Sequence, residues 1–364
     1  MIYAYAPGMS SCFGDLDETL RALHEAQRGT QKLVDVAGFE IPGVAVVYAD
    51  PAIEESYERR AATHLRRALR QTLRDLPSPD RHRTALVLCT GLGSTPGDEV
   101  EAPGGGWYSA EDVARDEVDP AVDVYSITNA CSASGTGLAL GSDLLLTGAY
   151  DQVLLAAADS MTRAMLTMIG KVASEPAQHC APFDEKHTGA VLGEGAAACL
   201  LSRDDSWCGR QRFGTVLSIE CSSDASHPTA PHPQTIGETV RRAISRAGLT
   251  AGDLDFVVPH GTGTTLNDEC EVSVYAAMPE LTSSACFLPL KGGIGHTSGA
   301  SFLMSLLTAM AVCRGTPAPG YVPDHPVGGA VALRWQPEPS WAAEHGLVCA
   351  YGFGGANAVG VIAA

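Results

Sequence analysis

The stretch SITNACSASGTGLALGSDLL, residues 126–145, decides how the rest of the chain is read. Just before and at its start, Val122, Val124 and Tyr125 fit the end of a buried strand. Within it, Leu138, Leu140, Leu144 and Leu145 recur at helical spacing. Between strand and helix stand one thiol, Cys131, and a run of small residues from Ser132 to Gly137. This places Cys131 near a helix N-terminus, where unpaired N–H groups and the macrodipole favour negative charge. A cysteine so placed is expected to lose its proton more readily, and the thiolate is the nucleophile. Small neighbours let a second molecule approach. The competing reading is a structural cysteine, because free Cys is among the most buried residue types.

Outward from this point, strands and helices alternate. Ile2 to Ala6, Val44 to Tyr48, Thr84 to Cys89, Gln152 to Ala158 and Ala196 to Leu201 read as strands, and residues 53–75 as a helix. The helix carries Arg59, Arg60, Arg66, Arg67, Arg70 and Arg74, for which a solvated face is the plain reading. Residues 94–120 are polar and rich in Gly and Pro, and read as a loop or insertion. A second series begins near Arg212: strands at Phe213 to Ile219 and Phe256 to Pro259, a helix at Thr235 to Ala247, then segments 267–277, 299–313, 346–351 and 357–363. Two α/β series of similar length imply two similar halves, 1–205 and 206–364, although no internal repeat is visible in the residues.

The bulk numbers narrow the function classes. The chain has 364 residues, 45% hydrophobic and 18% charged, which suits a globular protein with a large core. Its net charge of −18 argues against a general nucleic-acid binder, which needs a basic surface. Eleven cysteines occur with no CxxC pair, so neither a disulfide framework nor a zinc site is expected, and a reducing cytoplasm fits best. The opening MIYAYAPGMSSCFG lacks a basic region followed by a long apolar run, and no apolar run is long enough to span a bilayer.

Three further stretches carry chemistry. In VVPHGTGTTLND, residues 257–268, His260 follows an apolar strand and precedes a glycine- and hydroxyl-rich turn. Ligands in open α/β sheets bind outside the carboxyl ends of strands, which favours a catalytic His260 over a structural one. In LKGGIGHTSGA, residues 290–300, Lys291 and His296 flank glycines ahead of an apolar helix. A nearby ammonium keeps an imidazole neutral, and neutral imidazole can donate one hydrogen bond to developing negative charge. In YGFGGANAVGV, residues 351–361, glycines surround Phe353 and permit main-chain N–H groups to face a ligand; a plain tight turn is the alternative. One Cys with two His in such loops makes a nucleophile with two electrophilic helpers, suited to taking up an acyl group and stabilising an enolate or oxyanion.

Taken in order, Asn129-Ala130-Cys131-Ser132-Ala133-Ser134-Gly135, His260-Gly261-Thr262-Gly263-Thr264 with Asn267-Asp268, Lys291 through Gly295-His296, and Gly352-Phe353-Gly354-Gly355 with Asn357 resemble the β-ketoacyl synthases. Pro182-Phe183-Asp184, Gly189 and Gly193-Glu194-Gly195, and the opening MSSCFGDLDETLRAL, are similar to the same family. The resemblance implies a thiolase-like α/β fold of two related halves in a five-layer αβαβα sandwich, usually dimeric. It implies that Cys131 accepts an acyl chain from an acyl carrier protein's phosphopantetheine thioester. His260 and His296, supported by Lys291, would promote decarboxylation of a malonyl-type extender, so that a Claisen condensation follows. The N–H groups of Cys131 and Phe353 would form the oxyanion hole, with Phe353 as a gate. No cofactor or metal is implied.

The same resemblance frames the alternatives. The complete Cys-His-His set differs from the family's chain-length-factor subunits, which lack the cysteine. The chain is short for the family, and the compressed region between Gly93 and Cys131 helps build the dimer interface and acyl pocket in relatives. Ser305 stands where relatives often carry a glutamate. These departures point to polyketide or other specialised metabolism. They leave open an acyltransferase or cyclising enzyme without decarboxylation, a non-catalytic partner subunit, and a homodimer or heterodimer. Acyl carrier proteins are acidic, so Arg59, Arg66 and Arg70 are candidates for carrier docking.

Overall fold

The computed structural model describes residues 1–34, 44–49, 57–74, 76, 83–92, 110–172, 177, 180–187, 189–224, 226–337 and 341–364. The first series begins with β1 (Ile2–Ser10), α1 (Leu16–His24), β2 (Gln31–Val34), β3 (Val44–Val47), α2 (Tyr57–Arg74) and β4 (Thr84–Thr90). It continues with α3 (Ala110–Glu117), β5 (Asp123–Thr128), α4 (Ala133–Leu146), β6 (Gln152–Asp159), α5 (Arg163–Val172), β7 (Leu192–Gly193) and β8 (Gly195–Ser202). The second begins with β9 (Gly214–Ser223), α6 (Pro233–Arg246), β10 (Phe256–Val258), α7 (Thr265–Ala276), α8 (Pro279–Ser284) and β11 (Cys286–Phe287). It ends with α9 (Lys291–Ile294), α10 (Ser301–Cys313), β12 (His345–Gly352) and β13 (Ala356–Ala363).

Ten of these strands form one sheet, ordered β11-β10-β12-β13-β9-β1-β8-β6-β4-β5. Counting only the strands of this sheet, each series contributes, from its edge inward, its third, second, fourth, fifth and first strand. The directions match as well: β4 is parallel to β5 and β6, β10 is parallel to β11 and β12, and the β6–β8 and β12–β13 pairs are antiparallel. The antiparallel β1–β9 pair joins the two runs. The repeat that is invisible in the residues is therefore plain in the topology. We propose residues 205 and 206, in the link between β8 and β9, as the boundary between the halves.

Composition assigns each helix its layer. α10 reads SFLMSLLTAMAVC, and twelve of its residues, Ser301 to Val312, are buried. A helix that is apolar all round must be covered all round. α4 is rich in Gly, Ala and Ser, and with α10 it touches strands of both runs. The amphipathic helices lie outside: α2 covers β1, β6 and β8, and α6 covers β9 and β13. The result is helix, sheet, central helices, sheet, helix, the five-layer arrangement expected from the sequence. No described helix is long and apolar enough to cross a membrane.

The strand and helix expectations hold within a few residues at their ends, with three differences. The segment 94–120, read as a loop, contains α3 over Ala110–Glu117, while 94–109 lie outside the described residues, as do 53–56 and 75 of the expected helix. The strand before Cys131 was expected to be buried; β5 is an edge strand paired only with β4, and Asp123, Ser126 and Thr128 are exposed. α1, β2, α5, β7, α8, β11 and α9 were not anticipated.

The central layer is tight where α4 meets β13. A Cβ on Gly135 would lie 2.4 Å from Ala358 Cβ and 3.3 Å from the Phe302 ring. Alanine favours a helix over glycine by about 1 kcal/mol, but overpacking a core costs roughly 1–3 kcal/mol. Because 2.4 Å is far inside van der Waals contact, the clash decides the sign. Gly135→Ala is expected to lower the urea midpoint; an unchanged or raised midpoint would show that the central layer yields.

Candidate active site

Cys131 lies in a single 3₁₀ turn, Ala130–Ser132, that runs into α4. Ala130, immediately before it, has φ 45°, and Ser298, two residues after His296, has φ 49°. Left-handed non-glycine residues of this kind cost roughly 1–3 kcal/mol each and persist only where their surroundings fix them. Both flank the groups that meet: His296 Nε2 is 3.0 Å from Cys131 Sγ. Thiol and both imidazoles converge, with one nitrogen of each ring and the sulfur all within 4.8 Å of one another. The His260 and His296 rings stand edge to face, centroids 5.3 Å apart.

The hydrogen bonds behind the rings fix their tautomers. Ser298 N–H donates to His296 Nδ1 at 3.3 Å. The Lys291 ammonium lies 3.4 Å from His260 Nδ1 and also donates to the His260 carbonyl. With a donor at each Nδ1, each neutral ring carries its proton on Nε2 and turns an N–H toward the pocket. Burial, then Lys291 and His296, hold the His260 pKa well below its ordinary value. Burial, then Lys291, do the same for His296. Both rings are therefore neutral at physiological pH. The same donors argue against use of Cys131, His260 and His296 as a metal site. A ligating Nε2 needs its proton on Nδ1, where a partner that accepts must stand; here both partners donate.

Cys131 departs from the expectation of an easily ionised thiol. Burial pushes its pKa up to about 11, against the pull of Lys291 and of the Phe353 and Cys131 N–H groups; the Asp159 carboxylate raises it further. The helix N-terminus is present, but desolvation outweighs it. That the Phe353 and Cys131 N–H groups both reach the sulfur places two main-chain donors beside the atom that would carry an acyl group. Gly354 and Gly355, with φ 82° and 81°, form the turn that presents Phe353.

Several contributors escaped the sequence reading. The Glu271 carboxylate accepts from His260 N (2.9 Å), Gly261 N (2.6 Å), Asn267 Nδ2 (2.7 Å) and Tyr275 OH (2.7 Å). Burial lifts its pKa to about 7; burial also lowers the Lys291 pKa, and the Glu271 charge opposes that shift. A carboxylate one helical turn after Asn267-Asp268 was the available signal. Asp159, which ends the apolar β6, is buried beside the Cys131 and His296 loops. Ser305 is buried on α10, so the carboxylate near Lys291 comes from α7 instead.

A cavity of about 290 Å³ opens on the sulfur. Its lining includes Thr229, Thr262, Thr264 and Thr265 as well as the apolar Met165, Met168, Ile169 and Leu192. Phe353 also lines it and packs against the Met161, Met165, Leu166 and Ile169 cluster.

Comparison with known proteins decides the family. The profile described as "Beta-ketoacyl synthase, N-terminal domain" matches residues 123–206, and its C-terminal counterpart matches 213–320, together more than half of the chain. The chain belongs to the β-ketoacyl synthase family. It is 26% identical over 342 residues to the 3-oxoacyl-[acyl-carrier-protein] synthase 2 of Mycobacterium bovis, covering 82% of this chain and 81% of that protein. Among solved structures, the ishigamide ketosynthase/chain length factor superposes with a TM-score of 0.82 at 23% identity, over 100% of this chain and 98% of that one. A ketosynthase in complex with its chain length factor from Xenorhabdus doucetiae gives 0.80 at 21%, over 100% and 97%. These neighbours establish the thiolase-like fold.

Against that family background, the carrier-docking candidates stand apart from the pocket, on α2 in the outer layer. Arg59 is exposed there. Arg70 forms a two-pronged pair with Glu117 of α3, at 2.7 and 2.8 Å, and Arg66 lies 3.8 Å from the same carboxylate. Glu117 thus takes up part of the positive charge on which docking at this face would rely.

The Lys291 charge favours the thiolate, so Lys291→Met is expected to raise the Cys131 midpoint further above about 11. Iodoacetamide labelling of the Cys131 peptide, followed by mass spectrometry against pH, reads this directly. A midpoint that falls or stays put would show that the ammonium does not act on the sulfur.

Proposed function

We propose that the protein is a β-ketoacyl-[acyl-carrier-protein] synthase-type acyltransferase that makes carbon–carbon bonds in polyketide or related specialised metabolism. One observation carries the reading: Cys131 Sγ lies 3.0 Å from His296 Nε2, in a site where both imidazoles are neutral Nε2–H donors. A scaffold needs neither a thiol at that point nor two donors aimed past it.

The chemistry follows from these groups. The Cys131 sulfur attacks the thioester carbon of an acyl-carrier substrate; the oxyanion takes the Cys131 and Phe353 N–H groups, the C–S bond to the carrier breaks, and the departing carrier thiolate takes up the proton that Cys131 gives up. A malonyl-carrier thioester then places its carbonyl oxygen between the His260 and His296 Nε2–H groups. Its C–C bond to the carboxylate breaks, CO₂ departs, and the electron pair forms an enolate held by the two imidazoles. The enolate carbon attacks the acyl-cysteine, and collapse of the tetrahedral adduct expels Cys131 thiolate and leaves a β-ketoacyl-carrier product. Neutral rings suit this step, because each must donate to an oxyanion without protonating the carbon. The threonines of the cavity suit the pantetheine arm, and its apolar residues suit the acyl chain. The ketosynthase/chain length factor neighbours support a second ketosynthase-like subunit as partner.

Intact-protein mass spectrometry with acyl-carrier thioesters, with and without malonyl-carrier protein, tests the proposal. An acyl adduct is expected on wild type and absent from Cys131→Ala, and malonyl-carrier should discharge it as a lengthened β-ketoacyl product. His260→Ala is expected to load normally but to elongate about 10²–10³-fold more slowly. An adduct that leaves without elongation would make the protein a transferase or cyclising enzyme. No adduct with any donor, alone or with a partner subunit, would make it a non-catalytic subunit.

A further inference from the structure

Asp159 lies outside the Cys-His-His-Lys set and is not among the residues that line the cavity, yet it joins the loops that bear two of those residues. Its Oδ2 accepts two main-chain N–H groups, from Gly91 at 2.9 Å and from Gly299 at 2.7 Å. Its Oδ1 accepts from Thr90 Oγ1 at 2.7 Å. Each amide leads toward a reacting group. The Gly91 carbonyl accepts from Ala130 N–H at 2.9 Å, and Ala130 precedes Cys131. Gly299 follows Ser298, whose N–H is the donor to His296 Nδ1. The two loops interlock: a Cβ on Gly91 would lie 2.0 Å from Ser298 Oγ, and one on Gly299 would lie 2.4 Å from Gly91 N. Ser134 of α4 closes the circuit by donating to the Gly299 carbonyl at 2.5 Å.

We propose that Asp159 is a positioning residue: its carboxylate holds the Cys131 and His296 loops in one register. The left-handed residues Ala130 and Ser298 sit within this circuit, so the tie holds backbone that would otherwise relax. Of the charged side chains that act on the Cys131 sulfur, Lys291 favours the thiolate and Asp159 opposes it. Burial does most to keep the thiol protonated, and the Asp159 carboxylate, its own pKa lifted by burial to about 7, adds to this once it is ionised. The inference rests on the Cys131–His296 pairing and not on which bond is made. Alkylation needs no substrate, so it can fail while the proposed condensation stands, and the converse.

The test compares two variants. In Asp159→Asn the side-chain oxygen can replace Oδ2 for both amides, while the NH₂ donates to Thr90 Oγ1; only the charge is lost. In Asp159→Ala charge and tie are both lost. Iodoacetamide labelling of the Cys131 peptide against pH should show a midpoint lowered by about one unit in Asp159→Asn, because a nearby negative charge has gone. Turnover should stay within about tenfold of wild type in Asp159→Asn and fall about a hundredfold in Asp159→Ala, as for a misplacement of roughly 1 Å. An unmoved labelling midpoint in Asp159→Asn overturns the charge role. Equal turnover losses in two folded variants overturn the tie. If Asp159→Ala does not fold, a hundredfold loss in Asp159→Asn, which keeps the acceptor, overturns the tie by itself.

Discussion

The structure depends on the burial of two helices, α10 along nearly its whole length and α4 everywhere but near its C-terminal end, where Asp143 and Leu146 are exposed. α10 is apolar on every side, and α4 is too poor in polar groups and too rich in small residues to face water. Neither could cover a sheet from outside, as α2 and α6 do. Only a layer between two sheets satisfies both, and the same-order strand runs supply one sheet for each side. Once α4 and α10 share that layer, their N-terminal ends meet. The turn before α4 carries Cys131, and the turn before α10 follows His296. Helix burial thus brings the thiol and the imidazole into one place, where they lie 3.0 Å apart. Gly135, with no side chain between α4 and both Phe302 and Ala358, is the local condition for it.

Burial also sets the electrostatics, and it acts differently on different groups. Desolvation penalises the charged form of each, which pushes Cys131 up to about 11 and both histidines well down. For the histidines this is the useful direction: a neutral ring with a donor behind it is a fixed N–H donor. For the thiol it is the unhelpful direction, and Lys291 with two main-chain N–H groups offsets only part of it. The thiolate is therefore scarce at neutral pH, while both imidazoles are fixed N–H donors.

Much of this was legible in the sequence, and the remainder was hidden for identifiable reasons. Cys131, His260, Lys291 and His296 each sit beside glycines at an element boundary, where a short polar stretch interrupts an apolar pattern; such boundaries are visible one by one. The strand and helix series was visible through its periodicity. The burial of β5 was misjudged because an apolar run does not reveal whether one neighbour or two will pair with it. α3 was hidden in a polar stretch whose glycines and prolines dominate the reading. The capping box that starts α1, Asp15 with Glu18, was present as a local signal. The thiol's elevated pKa could not be read at all, because helix position is local whereas desolvation is a property of the assembled layers.

Ser305 offers no carboxylate to Lys291 from α10. Glu271 acts on Lys291 from α7 instead, and the same carboxylate holds the His260 and Gly261 amides. One acid thus fixes the main chain of His260 and favours the cation behind its ring. The counter-charge reaches Lys291 from the helix that follows His260, not from the helix that follows His296. Lys291 and His260 are therefore supported from within the second half, whereas His296 is also bound by main-chain bonds to Val191 and Gly193 of the first. The working unit is consequently the interface between the halves. A change that shifts one half against the other separates Cys131 from His296 while leaving the Lys291–His260–Glu271 cluster whole.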